Sequence, residues 1–417
     1  MILGSVADDF TGATDLAGML AEGGLRTTLV LGAPAENAAA PDADAVVVAM
    51  KTRTIPAGDA VAQSLAAWRW LARSGARQAY FKYCSTFDST DKGNIGPVAE
   101  ALWRETDEGP VVFVPSLPLN GRTVYRGHLF VFDQLLSDSG MRNHPLTPMT
   151  DSNLVRVLSR QTAVGVGLIR YDTVARGAAA VRAAAEVLAA EGRPFIVVDT
   201  LTDADLDVIG EACEGFALVT GGSGLALGLA PRLRPGAVAT AATALPAIGG
   251  PVVCLSGSCS EATNAQVRNF AANHPVRRLD PIALAEGRDT AADAASWALA
   301  KLKDGPCLVS ATASPAEVKA VQEKLGTDRA ATVVEAALSH VAAELGRAGV
   351  RRFVVAGGET SGAVATALGI SQLAVGAQIA PGVPWCVASG SVPVAVALKS
   401  GNFGGEAFFE QAIATAP

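Results

Sequence analysis

The chain has 417 residues, of which 50% are hydrophobic and only 18% are charged, with a formal net charge of -7. A chain this long and apolar can bury a large core, which excludes intrinsic disorder as its main state. The acidic balance disfavours nucleic acid as the main partner, because neutralising phosphates requires clustered Lys and Arg.

Short β-branched runs alternate with Ala-rich helical patterns through the first half of the chain. Strands are predicted at Ile2–Ala7, Thr27–Leu31, Ala45–Ala49, Ala79–Tyr83, Val111–Val114, Val164–Ile169, Phe195–Val198 and Ala217–Val219. Helices are predicted at Ala13–Glu22, Ala57–Arg73, Pro97–Glu105, Asn153–Leu158, Val174–Ala190 and Leu225–Leu229. Continuous apolar strands interleaved with helices indicate an α/β domain with a largely parallel sheet.

Residues 231–250 interrupt this alternation, since they show neither a charged helical face nor strand periodicity, and we predict a linker there. Beyond it, strands are predicted at Val252–Leu255, Cys307–Ser310, Arg352–Val355, Ala374–Ile379, Trp385–Ala388 and Val394–Leu398. Helices are predicted at Glu261–Ala272, Glu335–Ala348 and Ser361–Leu368. The sequence therefore predicts two α/β domains with largely parallel sheets, 1–230 and 251–417, and an active-site cleft between them, a preferred place for small-molecule sites.

The cysteines are scattered, with no CxxC pair and no Cys/His spacing typical of a zinc site. That pattern fits a reducing cytoplasm. The chain opens on a strand-like segment without a basic leader, and prolines and glycines interrupt its longest uncharged stretch, Pro235–Ser260. We therefore expect a cytoplasmic protein that does not enter a membrane.

An acidic pair, Asp8 and Asp9, follows the first strand. In open α/β sheets ligands bind outside the carboxyl ends of the strands. Adjacent carboxylates suit a polyol or Mg²⁺ better than an anion, and either one could accept a hydroxyl proton or hold a metal. The alternative is that Asp9 or Thr11 only caps the following helix.

Three cations stand in polar loops of the same half: Arg53 after the third strand, Lys82 at the end of the fourth, and Arg122 after the fifth. They suit a hydroxylated carboxylate, since Arg53 can bind a carboxylate through two donors and Lys82 supplies a point charge. The alternatives are ordinary solvated charges for Arg53 and Lys82 and a plain turn for Arg122.

Three loops rich in glycine and hydroxyl groups follow strands of the second half: Ser256–Ser260, Gly357–Gly362 and Lys399–Gly405. Any one of these loops alone is a routine turn, but together they favour binding of a nucleoside triphosphate. Ser256 and Asn402 are candidate contacts within them. Glu359 could hold a metal-bound water or simply interact with the helix dipole.

These motifs closely resemble the four-carbon acid sugar kinase family, in order along nearly the whole chain. They read ADDFTGATDLA, KYCSTFDST, KGNIGP, PSLPLNGRTV, TPMTDSNL, TGGSGLA, LSGSCSEATNAQ, VAGGETSG and LKSGNFGGEAFF. The resemblance implies a sugar-acid-binding N-terminal domain, a nucleotide-binding C-terminal domain and phosphorylation of tetronates or oxo-tetronates by ATP.

Within the family, KYCSTFDST followed by GNIGP most resembles the 3-oxo-tetronate 4-kinase branch, and D-threonate or D-erythronate kinases are the alternative. The resemblance places sugar-acid contacts at Asp8, Asp9, Arg53 and Lys82. It places ATP contacts at Ser258, Gly357, Gly358, Glu359, Thr360 and Gly401.

The function predicted is in-line transfer of the γ-phosphoryl group of ATP, with Mg²⁺, to the C4 hydroxyl of a 3-oxo-tetronate. Arg53, Lys82 and Arg122 would hold the substrate carboxylate, and Asp8 or Asp9 would orient the hydroxyl. A non-catalytic nucleotide-dependent sensor is a second hypothesis. An NAD(P)-dependent dehydrogenase is disfavoured, because the first turn reads DDFTG and not a glycine triplet. A homo-oligomer, the metal ligands and the stereochemistry of the substrate stay open.

Overall fold

The computed structural model describes residues 1–144, 146–238, 241, 243–388, 390 and 392–417. The chain divides into a first unit, Met1–Thr243, and a second unit, Ala244–Pro417. Each contains a largely parallel sheet with helices, so the predicted fold class is confirmed. Residues 239, 240 and 242 of the predicted linker lie outside the described part of the chain.

The sheet of the first unit is parallel throughout its described strands, in the order β2-β3-β1-β4-β11-β5-β10-β9. Its strands are β1 Leu3–Ala7, β2 Thr27–Leu31, β3 Ala45–Ala49, β4 Gln78–Lys82, β5 Val111–Val114, β9 Val166–Ile169, β10 Phe195–Val198 and β11 Leu218–Gly221. The central strands are buried on both faces, as the unbroken apolar runs of β3 and β5 predict, and the polar Ser5, Gln78 and Lys82 of β1 and β4 are buried with them.

Helices cover this sheet. They are α1 Phe10–Glu22, α2 Ala57–Arg73, α3 Ile95–Glu105, α4 Leu154–Ser159, α5 Tyr171–Val174, α6 Ala178–Ala190, α7 Asp203–Ala212 and α8 Leu225–Leu233. Helix α8 runs through Pro231 into the segment predicted as linker. Arg232 anchors this last turn, because it pairs with Asp207 at 2.6 Å and Glu211 at 3.2 Å, both on α7.

The segment after β5, predicted as a stiff loop, forms a short 3₁₀ turn at Pro118–Asn120 and then a small antiparallel sheet. Its strands are β6 Arg122–Tyr125, β7 His128–Val131 and β8 Gln134–Leu135. The two tight turns that join them place Arg126 and Phe132 at positive φ, where non-glycine residues are uncommon.

The described sheet of the second unit has the order β13-β14-β12-β15-β18-β17-β16, parallel up to β18 and antiparallel beyond it. The strands are β12 Val252–Ser256, β13 Val276–Arg278, β14 Cys307–Ser310, β15 Arg352–Ala356, β16 Gln372–Ala380, β17 Val383–Ala388 and β18 Val394–Lys399. The helices are α9 Glu261–Ala271, α10 Pro281–Ala285, α11 Ala291–Lys301, α12 Pro315–Leu325, α13 Thr327–Arg347, α14 Gly358–Ala367 and α15 Phe408–Ala414.

Strands β12, β15 and β18 are neighbours in this sheet, so the loops that follow them leave the same edge. In the first unit, β3, β1, β4 and β11 are likewise adjacent, and the polar loops after them meet at one edge. No helix in the described part of the chain is long and apolar enough to cross a membrane.

Candidate functional site

The acidic pair after β1 is bound to Arg53. The guanidinium holds Asp8 through two hydrogen bonds, Nε to Oδ2 at 2.9 Å and Nη2 to Oδ1 at 2.7 Å, and Nη2 also reaches Asp9 Oδ1 at 2.6 Å. Nη1 lies 3.6 Å from Asp88 Oδ2. Arg53 is therefore shared by three carboxylates, and Nη1 is the nitrogen with most donor capacity left for a ligand.

Backbone hydrogen bonds hold the loop of Arg53 in place. The N–H groups of Thr52 and Arg53 donate to the carbonyl of Asp8 at 2.9 and 3.2 Å. The amide of Asn94 donates to the carbonyls of Thr52 at 2.6 Å, Arg53 at 3.2 Å and Ile55 at 2.9 Å. The guanidinium is thus positioned by two neighbouring strands and by the loop before α3.

Asp9 is also the N-cap of α1. Its side chain accepts from the N–H of Gly12 at 3.1 Å and from the hydroxyl of Thr11 at 2.8 Å. The capping alternative therefore holds, but it does not exhaust the role of Asp9, because the same carboxylate also binds Arg53. Its side chain keeps 25% exposure, against 7% for Asp8.

Lys82 lies buried beside the start of α1. Its ammonium donates to the carbonyl of Tyr83 at 2.7 Å, and a Cβ atom on Gly12 would lie 2.8 Å from Nζ. Asp15, which lies within α1, is also buried and accepts a hydrogen bond from the hydroxyl of Ser223. The cluster therefore extends from the acidic turn to the glycine loop after β11.

The carboxylates of this cluster titrate differently. Burial raises the pKa of Asp8, although Arg53 opposes the shift, and burial likewise raises the pKa of Asp15 against the attraction of Lys82. Burial also acts to raise the pKa of Asp9, but Arg53, Lys82 and the hydrogen bonds from Thr11 and Gly12 outweigh it, so the pKa is lowered. Asp9 is thus the more firmly ionised member of the acidic pair.

Asp8, Asp9, Arg53 and Lys82 form one cluster, whereas Arg122 is held elsewhere. Its guanidinium donates to the carbonyl of Asn120 and lies 5.5 Å from the ring centre of Phe132. No contact among the described residues joins it to the acidic pair. The sequence prediction gave no individual role to Asp15, Asp88 or Ser223. All three lie within quoted motifs, but their contacts depend on strand order.

The three predicted loops of the second unit converge. The N–H groups of Gly257 and Ser258 donate to the carbonyl of Ala356 at 3.0 and 3.2 Å, and the N–H of Gly357 donates to the carbonyl of Lys399 at 2.9 Å. The hydroxyls of Ser260 and Thr263 both donate to the carbonyl of Gly401 at 2.7 Å.

Two helices begin where these loops meet. Gly357, with φ of 125°, precedes α14, and a Cβ atom there would lie 3.0 Å from the hydroxyl of Thr360. Ser260 caps α9. Because first-turn N–H groups lack partners within a helix and carry the positive end of its dipole, two converging helix N-termini form an arrangement suited to phosphate.

The predicted ATP contacts differ in accessibility. Ser256 is fully buried, and its hydroxyl is hydrogen-bonded to that of Thr312 at 2.6 Å. Its side chain therefore stabilises the loop from the protein interior. Thr360 is also buried. Ser258, Gly358 and Gly401 are partly exposed, and Glu359 and Asn402 are exposed. A Cβ atom on Gly401 would lie 2.3 Å from Ser258 Oγ, so these two residues are in close contact.

No group of three or more His, Cys, Asp or Glu side chains suited to a metal ion was found within the described residues. Glu359 directly follows Gly357 and Gly358 at the start of α14.

Comparisons with known proteins agree with this division. A family model described as a sugar-binding N-terminal domain matches residues 3–229, and one described as a nucleotide-binding C-terminal domain matches residues 253–409. A 3-oxo-tetronate kinase of Burkholderia multivorans is 57% identical over 99% of this chain and 96% of its own. A 3-oxo-tetronate kinase of Salmonella typhimurium is 47% identical over 98% of each chain.

Solved structures of similar proteins have the same fold. A crystal structure from Salmonella typhimurium LT2, described as a tRNA synthase, is 45% identical with a TM-score of 0.89 and covers 98% of both chains. Protein HI1011 of Haemophilus influenzae is 44% identical with a TM-score of 0.86 and covers 99% of both. The chain therefore belongs to the four-carbon acid sugar kinase family, as its motifs indicate, and is similar over its length to that family's 3-oxo-tetronate kinases.

Proposed function

We propose that this chain is an ATP-dependent kinase that phosphorylates the C4 hydroxyl of a 3-oxo-tetronate in carbohydrate catabolism. The observation that carries the proposal is the 57% identity to a 3-oxo-tetronate kinase over 99% of the chain. The polar cluster of the first unit and the converging loops of the second supply the donors that such a reaction needs.

In the first unit, the acid sugar binds beside Asp8, Asp9, Arg53 and Lys82. Lys82 is a buried cation with one hydrogen bond to Tyr83 and two further ammonium protons, so it suits the substrate carboxylate. Arg53 has most of its donors bound to Asp8 and Asp9, and its substrate contact is restricted to Nη1. Arg122, which lies apart from the cluster, would need to move to reach the same carboxylate.

Asp9 is the better candidate to orient the C4 hydroxyl. It is more exposed than Asp8, and its lowered pKa keeps it ionised at neutral pH. A fixed carboxylate beside the hydroxyl aligns the oxygen for in-line attack and accepts its proton as the bond to phosphorus forms.

In the second unit, ATP phosphates bind Ser258, Gly357, Gly358, Thr360, Gly401 and Asn402. Free N–H groups at the start of α14 and in the loop after β18 stabilise the charge that builds up on the transferred group. Mg²⁺ neutralises phosphate oxygens when bound, and Glu359 is the residue proposed to hold it through water. A cleft between the units, a cytoplasmic location and homo-oligomer formation stay predictions.

A substrate screen tests the proposal. The purified protein is mixed with Mg-ATP and a panel of 3-oxo-tetronates, D-threonate and D-erythronate, and ADP release and the position of the new phosphate are measured. We expect the fastest turnover and a C4 phosphate with a 3-oxo-tetronate. Faster turnover of threonate or erythronate would assign the alternative branch. Nucleotide and sugar-acid binding without ADP release would favour the sensor.

A further inference from the structure

We propose that Lys399 is a positioning residue for the nucleotide, which shapes the loop after β18 for phosphate and supplies a buried positive charge that the phosphates compensate. The inference rests on the proposed nucleotide site of the second unit. It concerns a side chain that no proposed catalytic step uses.

The ammonium of Lys399 holds two successive backbone carbonyls. Nζ donates to the carbonyl of Ser400 at 2.8 Å, to the carbonyl of Gly401 at 3.1 Å and to the hydroxyl of Thr263 at 3.2 Å. All three ammonium protons are thus assigned. The carbonyl of Gly401 also accepts from Ser260 and Thr263, which fixes its direction further.

These hydrogen bonds of Lys399 determine where the neighbouring N–H groups point. In a planar trans peptide the N–H of the next residue points opposite to the carbonyl. With the carbonyls of Ser400 and Gly401 turned towards Lys399, the N–H groups of Gly401 and Asn402 point away from it. Two successive N–H groups that face the same region form an anion-binding concavity.

The charge of Lys399 has no carboxylate partner among the described residues. Its side chain is fully buried, and Nζ lies 5.6 Å from the ring centre of Phe408. Of the acidic groups on the surrounding helices, Glu410 pairs with His274 at 2.9 Å. Within the described part of the chain, the hydrogen bonds of the Lys399 ammonium go to Thr263, Ser400 and Gly401 and to neither Glu261 nor Glu359. A buried unpaired cation is costly, and a bound polyphosphate removes that cost.

Burial alone lowers the pKa of Lys399 to about 8. Phosphates of bound ATP favour the protonated ammonium and therefore raise this pKa, so binding takes up a proton near pH 8. The affinity for ATP should then fall as the pH rises above about 8. The terminal phosphate itself titrates near pH 6 and does not interfere in this range.

Calorimetry on the full-length protein tests the inference. ATP binding is measured at pH 7.5 and 9.5, with fixed Mg²⁺ and in buffers of different ionisation enthalpy, for the unaltered protein, Lys399→Met, Lys399→Arg and the control Lys319→Met. Lys319 lies on α12 with 78% of its side chain exposed. We expect the affinity of the unaltered protein and of the control to fall about 10-fold between the two pH values, with proton uptake near pH 8.

Lys399→Met should bind ATP at least about 10-fold more weakly at pH 7.5 and show neither the pH dependence nor the proton uptake. Lys399→Arg should retain part of the affinity without the pH dependence, since an arginine stays charged throughout. If Lys399→Met does not fold, the unaltered protein and Lys399→Arg still decide the question. ATP binding by the unaltered protein with a flat pH profile would overturn this inference alone, whereas no ATP binding at all would overturn the proposed function with it.

Discussion

At the scale of single residues, Arg53 binds carboxylates of the protein itself, in addition to the substrate contact that its sequence position predicts. Its side chain keeps only 20% exposure, and it neutralises carboxylates of the protein before any substrate binds. An arginine that holds Asp8 through two donors and Asp9 through a third fixes both oxygens of Asp8 and one oxygen of Asp9. Its removal should therefore affect folding as well as chemistry.

The acidic pair gives the first prediction. Asp9→Asn should lower kcat by about 10²-fold or more while the KM for ATP stays nearly constant, because a neutral amide neither accepts the hydroxyl proton nor pairs with Arg53. Asp8→Asn should lower kcat less. Steady-state kinetics of both variants, with the exposed Asp133→Asn as control, checks this. Near-normal rates in both Asp8→Asn and Asp9→Asn would contradict the assignment of this site.

Arg53→Met gives a prediction on stability. Leaving Asp8 buried without its partner should lower the free energy of unfolding by about 3 kcal/mol at neutral pH, as urea titration would measure. Arg53 acts to lower the pKa of both Asp8 and Asp9, so its contribution is present where they are ionised. The deficit of the variant should shrink as the pH falls and these groups become protonated. The control Arg69→Met, at an exposed pair with Glu105, should change the free energy of unfolding far less than Arg53→Met does.

At the scale of elements, each unit has a buried amide side chain that supports the loops of its site. Asn94 holds the carbonyls of the loop after β3, and Gln266 on α9 donates to the carbonyls of Phe403 at 3.0 Å and Gly404 at 2.9 Å in the loop after β18. Neither side chain is proposed to touch a ligand. Their loss should loosen one loop and leave the other unchanged.

Asn94→Ala should raise the KM for the acid sugar about 10-fold and leave the affinity for ATP unchanged, because only the loop that carries Arg53 loses its support. Three carbonyls also lose a donor, of which that of Thr52 is buried and the other two are partly buried, so the free energy of unfolding should fall by about 1–3 kcal/mol. Kinetics with each substrate varied in turn measures the difference. The exposed Asn37→Ala is the matched control, and an equal effect on both substrates would argue against local support.

Gln266→Ala should produce the opposite pattern. The loop that contains Gly404 would lose two hydrogen bonds, so the KM for ATP should rise about 10-fold with little change for the acid sugar. The partly exposed Gln322→Ala on α12 serves as control. A variant that binds ATP normally, as calorimetry would report, would mean that the loop holds its shape without Gln266.

The sequence predicts elements well where one signal dominates. Strand β3 follows from an unbroken apolar run, and α2 from its helical periodicity. The strands β6, β7 and β8 have only four, four and two residues and lie among turn signals, so pattern alone does not reveal them. Helix α7 was not predicted, because acidic residues between its apolar positions weaken the periodicity.

Candidate residues were predictable where they lie at the end of a strand, as Lys82 does, or directly after one, as Asp8 does. Their partners were not, since Arg53 meets Asp8 only because β3 pairs with β1 in register, Ala49 opposite Ala7. Asp15 and Ser223 are separated by 208 residues and meet because α1 packs against α8, the helix that follows the loop of Ser223. Such contacts depend on strand order, which local patterns do not contain.

At the scale of the whole molecule, stability does not depend on disulfides. Every cysteine is free, and only Cys84 and Cys259 are partly exposed. Burial raises the pKa of Cys84 to about 11 and also raises the pKa of Cys259. The reactive thiolate is therefore scarce near neutral pH.

We expect the melting temperature to be the same with and without a reducing agent, and native thiols to react slowly with Ellman's reagent at pH 8. Complete unfolding in denaturant should release all six thiols. Denaturation curves and thiol titration measure both. Cys213→Ser, at a fully buried position, and Cys84→Ser give a matched pair, of which only Cys84→Ser should reduce the slow native reaction. A melting temperature that falls on reduction would contradict this picture.

The double duty of Asp9 limits how this enzyme can evolve. One carboxylate caps the start of α1, binds Arg53 and is proposed to face the reacting group, so no substitution could adjust one of these tasks without disturbing the others. Glutamate would keep the charge, but its longer side chain is a poor cap, and asparagine would keep the cap without the charge. Attempts to evolve new acceptors on this scaffold should therefore leave Asp9 untouched and gain variation from the surrounding loops.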